Sequence, residues 1–381
     1  MEVLPKGVKM KRARKGFGLA FLGVSLWVGW FSGSLYWRDH RLIKSLTSYW
    51  AASIFQNDPE IGYVFKPSAQ AVHVMPDGTH NPVRTDRFGF RIPLEASQNT
   101  RIEQGGIAGV GCSFMAGHGL TAEETLPYLL GEMIGLRPYN LGVNSYSTVT
   151  AYLWLKRHIG VLKPRLIIYG FADFHYDRGV WPIAPSAYGE RFYAFLEPRG
   201  KELAIHPPLA DNRGYFSLAR DFERLYFADM SEGRRVNFTL EHFRLLAAFR
   251  RVDFWNHLKF KVYEMSHGEM IAPDRFASFM FDRFAELARE HGAKLAIVCL
   301  TSQEGAGCAP AFERAAKELE ASGDVLWIDP TSEMREALPP GGVFKDVFTL
   351  SPQDRHPNAA YNQTVSREIY NAVKKRGWIA A

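Results

Sequence analysis

Apolar and polar residues alternate in blocks along residues 105–375, and the blocks read as strands and helices taking turns. Residues 107–110 form an apolar run short enough to be a buried strand. Thr121-Ala122-Glu123-Glu124 is a capping box, predicting a helix to about Gly135. Residues 139–143 predict a second strand, 148–159 a helix closed by Gly160, and 165–171 a third, strongly apolar strand. After an interruption the rhythm resumes with a helix over 274–291, a strand over 294–300, a helix over 309–322, a strand over 325–328 and a last helix over 359–375. Alternation of this kind predicts an α/β fold, a parallel sheet covered by helices on both faces.

The interruption spans about 178–270. It is rich in Trp, Phe, Tyr and Arg, carries Pro182, Pro185, Pro198, Pro207 and Pro208, and reads as an inserted, partly helical cap. Ahead of the α/β region (105–381), residues 38–104 read as a helical stalk to about residue 60 and a small β lead-in ending Thr85-Asp86-Arg87-Phe88-Gly89-Phe90-Arg91.

Residues 16–37 contain no charged side chain. At helical rise they reach roughly 33 Å, enough for a bilayer core. Trp30, Tyr36 and Trp37 suit the far interface, and Gly29 and Gly33 have the Gly-x-x-x-Gly spacing that helix pairing can use. An uncleaved anchor is expected rather than a signal peptide, because the run is long and no small-x-small cleavage site precedes Trp37-Arg38. The net charge of +6 changes meaning in this light. Lys6, Lys9, Lys11, Arg12, Arg14 and Lys15 against Glu2 account for five of those charges, all in the tail 1–15, leaving the remainder near neutral. The basic balance therefore belongs to a tail held on the cytoplasmic side of an inner membrane, with the body exported to the periplasm, and argues for no nucleic-acid partner. Three cysteines make no disulfide framework. Cys299 and Cys308 can pair in an oxidising compartment, yet Cys299 also reads as a buried strand residue, so the pairing stays open.

Ligands of such sheets bind beyond the carboxyl ends of the strands. Gly111-Cys112-Ser113 follows the first strand, Gly142-Val143-Asn144 the second and Phe171-Ala172-Asp173 the third, while Asp354-Arg355-His356 precedes the last helix. Serine needs a base to take its proton, and an imidazole oriented by a carboxylate is the usual one. Asp173, His175 and Asp177 alternate, which in an extended segment puts them on one side, but no fourth ligand accompanies them, and no metal or other cofactor is expected. His118 reads as a pocket-lining or capping residue. Arg178 reads as a structural ion pair or a contact for an anionic substrate.

On these residues the chain resembles the SGNH (GDSL-like) hydrolase superfamily, in particular its membrane-anchored bacterial members, over roughly 60–178 and 275–375. Gly111-Cys112-Ser113-Phe114 is similar to the first block, Asn140-Leu141-Gly142 to the second, and Asp354-Arg355-His356-Pro357-Asn358-Ala359-Ala360 to the last. The resemblance implies a three-layer, flavodoxin-like parallel sheet. It also implies Ser113 as nucleophile, His356 as base, Asp354 as its orienting carboxylate, and the amides of Ser113 and Gly142 as oxyanion donors. The chain departs from the pattern in three places. Cys112 stands for the usual Asp, one residue rather than two separates Asp354 from His356, and Ala172 stands where a third-block Asn would donate to the oxyanion; Asn144 or His175 are the candidate substitutes. The expected activity is a serine esterase acting on O-acyl esters, O-acetyl among them, of envelope glycan or lipid. The alternatives are an O-acetyltransferase and a non-catalytic, glycan-binding scaffold of a polysaccharide-modifying complex. Protein partners are not indicated.

Overall fold

The structure is a computed structural model and describes residues 52–379 apart from 76–78, 187–188, 201, 232–239, 267–270, 301–306 and 352–353. The tail, the expected membrane span and residues 38–51 of the expected helical stalk lie outside the described residues; the remainder of that stretch is not a continuing helix but a short 3-10 turn (Ala52–Ile54) and a strand (Phe55–Asp58). No helix among the described residues is long and apolar enough to cross a membrane.

In chain order the lead-in gives strands β1 (Phe55–Asp58), β2 (Gly62–Phe65), β3 (Gln70–Val74), β4 (His80–Thr85) and β5 (Arg91–Ile92). The α/β region begins with β6 (Ile107–Gly111), α1 (Ser113–Ala116), α2 (Leu126–Ile134), β7 (Pro138–Asn140), α3 (Thr148–Leu162), β8 (Leu166–Phe171) and α4 (Phe174–Val180). The insertion holds two antiparallel hairpins, β9 (Ile183–Ser186) with β10 (Gly189–Phe192) and β11 (Phe195–Arg199) with β12 (Glu202–His206). Helices α5 (Arg213–Ser231) and α6 (Leu240–Ser266) follow them. The chain closes with α7 (Pro273–Glu290), β13 (Lys294–Cys299), α8 (Pro310–Glu320), β14 (Val325–Ile328), α9 (Thr331–Glu336), α10 (Phe344–Phe348) and α11 (Ala359–Lys375).

The central sheet runs β14-β13-β8-β6-β7-β5-β4-β3. Its five strands from β14 to β7 are all parallel. Numbered among themselves in chain order they run 2-1-3-4-5 from the β7 side, the flavodoxin-like order, whose switch point lies between β6 and β8. Helices α2 and α11 pack together on one face, α3 and α7 on the other. Strands β6, β8 and nearly all of β13 are buried on both faces, which explains their unbroken apolar runs. The expectation of a wholly parallel sheet is corrected at one edge. There β5, β4 and β3 join antiparallel through Arg91 opposite Asn140, so the lead-in extends the main sheet.

Several predicted boundaries also move. Thr121 donates to Glu124 Oε2 as a capping box would, but helix α2 starts only at Leu126, beyond Thr125. Gly160 does not close α3, since it lies on an exposed face where glycine is tolerated; the helix ends at Lys163, in the left-handed region with φ 41°. The second strand ends at Asn140, and its continuation follows β6 through Leu141 N–H to Gly109 O and Val143 N–H to Gly111 O.

Cys299 and Cys308 form a disulfide, their Cα atoms 5.8 Å apart. Cys299 is a buried strand residue, as its pattern suggested, but it is the last one of β13, where the side chain meets the segment entering α8.

Candidate active site

Strand β6 ends where α1 begins, so Ser113 is the first residue of a one-turn helix at the switch point. Its backbone N–H is one of the donors that a helix start leaves without an intrahelical partner. The turn is held from two sides. Asn140 donates through Nδ2 to Met115 O at 2.9 Å and to Thr125 Oγ1 at 3.1 Å, while its Oδ1 accepts from Gly142 N–H at 3.0 Å. Arg91, 3% exposed, donates to the carbonyls of Ala116, Gly117 and Leu120. It thereby satisfies the end of α1, where Gly117 takes the left-handed φ of 73°.

The Gly142 contact bears on its expected role. A Cβ at Gly142 would lie 2.2 Å from Ala116 N, so the glycine permits the second loop to press against α1. Its N–H is already given to Asn140, and an oxyanion there would have to compete with that carboxamide. Asn144, buried in the same loop, carries a side-chain nitrogen with no hydrogen-bond partner, while its carbonyl accepts from Tyr63 at 3.0 Å. Among the described residues it is one of several buried side-chain donors left without a partner.

On the far side, the segment before α11 forms a tight turn. Asp354 N–H donates to Ser351, Leu350 N–H donates to His356 O, and Asn358 caps α11 through Tyr361 N–H while donating to Val347 O and Thr349 O. This turn carries the base to the nucleophile. His356 Nε2 lies 3.0 Å from Ser113 Oγ, and His356 Nδ1 lies 2.6 Å from Asp354 Oδ1. The carboxylate partner assigns the proton of a neutral ring to Nδ1, leaving Nε2 as acceptor for the serine. Both distances fall within the reach required for proton transfer and orientation.

His118 is expected from the sequence to line the pocket or cap a helix. It lies beside His356, ring centroids 4.4 Å apart, with Nε2 3.5 Å from Asp354 Oδ2. Burial and the neighbouring His356 pull its pKa down to about 4, against the upward pull of Asp354. Burial alone would raise the pKa of Asp354, but its contacts with His118 and His356 outweigh this and hold the carboxyl well below the usual carboxylate range. Ligating atoms of His118, Asp354 and His356 lie within 4.8 Å of one another, a spacing one cation could bridge. In this arrangement, however, His356 Nδ1 is bound to the carboxylate and Nε2 faces the serine.

The Asp173, His175 and Asp177 set does not converge. The segment opens helix α4 instead of extending, so residues two apart turn to different sides. Asp173 and Asp177 are exposed, and Asp173 accepts from Ala309 N–H at 3.1 Å. His175 is fully buried with Nδ1 3.4 Å from the Tyr169 hydroxyl, between Phe171 and Phe174. That position makes it part of the core behind β8. Cys112 is buried, and burial pushes its thiol pKa up, opposed by the charge of Arg178. Ala172 lines a cavity of about 640 Å³ with Phe174, Leu300, Cys308, Pro310 and Phe312, between the ends of β8 and β13. Ser113, His356 and Asp354 are not among the residues lining the cavity, and Phe174, which is, stands edge-on to Phe114 at 5.6 Å.

No family model and no curated protein matches the chain. Among solved structures, it is similar to TesA, with 13% identity and a TM-score of 0.38 over 71% of this chain and 98% of that one. A putative lipolytic protein of the G-D-S-L family from Desulfitobacterium hafniense DCB-2 follows at 10% identity and 0.36, over 70% and 98%. A family two carbohydrate esterase from Cellvibrio japonicus matches at 9% and 0.35, over 79% of this chain and 65% of that one.

Proposed function

We propose that the chain is a membrane-anchored serine ester hydrolase acting on O-acyl, including O-acetyl, esters of envelope glycan or lipid. The observation that carries this reading is the continuous line Ser113 Oγ, His356 Nε2, His356 Nδ1, Asp354 Oδ1, at 3.0 Å and 2.6 Å. Ser113 Oγ attacks the ester carbonyl as its proton passes to His356 Nε2. Asp354 keeps the ring oriented and stabilises the imidazolium. The oxyanion is received by Ser113 N–H, with Asn144 Nδ2 as the second candidate donor. His356 then returns the proton to the departing alcohol, leaving an acyl-serine. Water, losing a proton to His356, releases the acid and restores Ser113. Substitution of an acceptor sugar hydroxyl for that water makes the same site an acyltransferase.

Export is supported by the disulfide between Cys299 and Cys308, which suits an oxidising compartment. Apposition to a bilayer is supported by α6, which turns Phe254, Trp255, Leu258, Val262 and Met265 outward beside exposed Arg251, Lys259 and Lys261.

The test uses the full chain in detergent with 4-nitrophenyl acetate. Hydrolysis should fall about a thousandfold or more in Ser113→Ala and in His356→Ala. Activity unchanged in both variants would refute the reading. The second reading, a glycan-binding scaffold, is favoured by Ala172 and by the commitment of Gly142 N–H to Asn140. A fluorophosphonate probe separates the two: labelling at Ser113 supports the enzyme, and glycan binding without labelling supports the scaffold. Product analysis with an acceptor sugar separates hydrolase from transferase.

A further inference from the structure

Arg178 lies in the last turn of α4, where an arginine commonly serves the helix-end carbonyls. Here its guanidinium lies instead 4.3 Å over the ring of Phe174, one turn back. Phe174 stands edge-on to Phe114 at 5.6 Å, and Phe114 stands edge-on to His356 at 5.7 Å. A row of rings therefore leads from the guanidinium to the residue that follows Ser113 and on to the base. Nη1 of Arg178 is buried without a hydrogen-bond partner, and among the described residues Arg178 makes no ion pair.

A second guanidinium stands at the same edge. Arg191, 6% exposed, lies 4.6 Å over Tyr63, and its Nη2 donates to Ser145 Oγ at 3.4 Å, beside Asn144. Both positive charges act on the buried phenols of Tyr63 and Tyr193, and that of Arg178 acts on Cys112. A guanidinium half withdrawn from water with an unsatisfied nitrogen is unfavourable in the free protein. An arriving anion supplies the missing acceptor, and the planar fork of arginine suits a carboxylate in particular.

We propose that Arg178, with Arg191 behind it, forms an anion subsite beside Ser113, and that the ester substrate carries a carboxylate close to the scissile acyl group: an acylated uronate glycan in preference to a neutral one. The sugar ring would lie against Phe174 and Phe114, with its carboxylate on Arg178. This inference rests on the hydrolase reading and names its substrate class.

The experiment compares acetylated oligogalacturonate with its methyl ester, which removes the charge and little else, on the full chain in detergent. The expected kcat/KM ratio, charged over neutral, is about tenfold or more. It should fall to about one in Arg178→Met and be partly kept in Arg178→Lys, which preserves the charge and guards against a folding defect. A ratio near one in the unmodified chain, or a preference that survives in Arg178→Met, overturns the subsite. Calorimetric binding of the two oligomers to Ser113→Ala decides the matter even if no ester is hydrolysed. Tighter binding of the charged oligomer that is lost on adding Arg178→Met upholds the subsite while the hydrolase reading fails. Equal binding of both overturns it.

Discussion

His118 Nε2 lies 3.5 Å from Asp354 Oδ2, the carboxylate oxygen that His356 Nδ1 does not use. The carboxylate is thus held between two imidazoles. The backbone N–H of His118 donates to Ser113 O at 3.0 Å, while its side chain meets Asp354 and His356, so the role of the ring is to position Asp354 and keep it ionised. Its replacement by Leu should lower kcat roughly tenfold with little change in KM, because orientation of the base is lost while substrate contacts remain. The acid limb of the kcat profile should also move to higher pH, since Asp354 loses one of the two partners that hold its pKa down. His118→Gln, which can still donate to Oδ2, should recover part of both effects. An unshifted acid limb in His118→Leu would reduce His118 to a packing residue.

The same histidine links stability to pH. In the folded chain its pKa is pulled down to about 4, whereas an unfolded histidine titrates near 6.5. Between those values the unfolded chain binds a proton that the folded chain refuses. Stability therefore falls as pH drops from about 6.5 to 4, by at most about 3 kcal/mol from this group. His73 and His158 are also lowered, so the wild-type slope alone does not isolate His118. The difference between wild type and His118→Leu does: denaturant unfolding at several pH values should show the variant losing less stability on acidification.

Asn144 separates two explanations of a buried amide without a partner. If its Nδ2 receives the oxyanion, Asn144→Ala should slow 4-nitrophenyl acetate hydrolysis by about a hundredfold, mostly in kcat. If it is merely an unsatisfied polar group, the same substitution leaves the rate intact, and thermal stability rises or holds. Rate and melting temperature measured on one variant decide between them.

Gly142→Ala tests the clamp on the nucleophile turn. The added methyl would meet backbone at Ala116 N, 2.2 Å away, and backbone cannot rotate aside as a side chain can. The second loop must shift away from α1, straining the Asn140 contacts to Met115 and Thr125. A loss of about 2–4 kcal/mol in unfolding free energy is expected, with activity reduced even where the variant is folded. Full activity and unchanged stability would mean that the approach is looser than described.

Much of this architecture could be read from the chain because its signals are local. Strands such as β8 are continuously apolar since both faces are covered, and the helices between them show the complementary period. The 2-1-3-4-5 order then brings Ser113 and the Asp354–His356 turn to one edge. What escaped was decided by tertiary contact. Nothing adjacent to Arg91 reveals that its guanidinium reaches the end of α1, and nothing adjacent to His118 reveals Asp354. Gly142 shows why motif reading stops short: a glycine that admits a close backbone and a glycine that donates to an oxyanion look alike in one dimension. Asp173, His175 and Asp177 alternate in the sequence without converging in the fold. Alternation aligns side chains only in a strand, and the segment begins a helix.

The disulfide joins the end of β13 to the start of α8 and, through Cys308, forms part of the wall of the cavity beside Phe174. Its loop is short, with a sequence separation of 9, so the chain-entropy contribution is roughly 2–3 kcal/mol. Dithiothreitol should therefore lower the melting temperature of the wild-type chain and leave that of a Cys299→Ser, Cys308→Ser double variant unchanged, the double variant melting close to the reduced wild type. Cys112 is buried and unpaired, and serves as an internal control because it is present in both proteins. Since Ser113, His356 and Asp354 are held by β6, α1 and the turn before α11, while the bridge ties the end of β13 to the segment before α8, hydrolysis of 4-nitrophenyl acetate should survive reduction below the new melting point. Esters whose acyl chain is long enough to reach past Phe174 into the cavity should lose affinity, seen as a rise in KM with kcat nearly constant. Equal loss for short and long acyl chains would show that the bridge supports the whole edge of the sheet instead of one wall of the cavity.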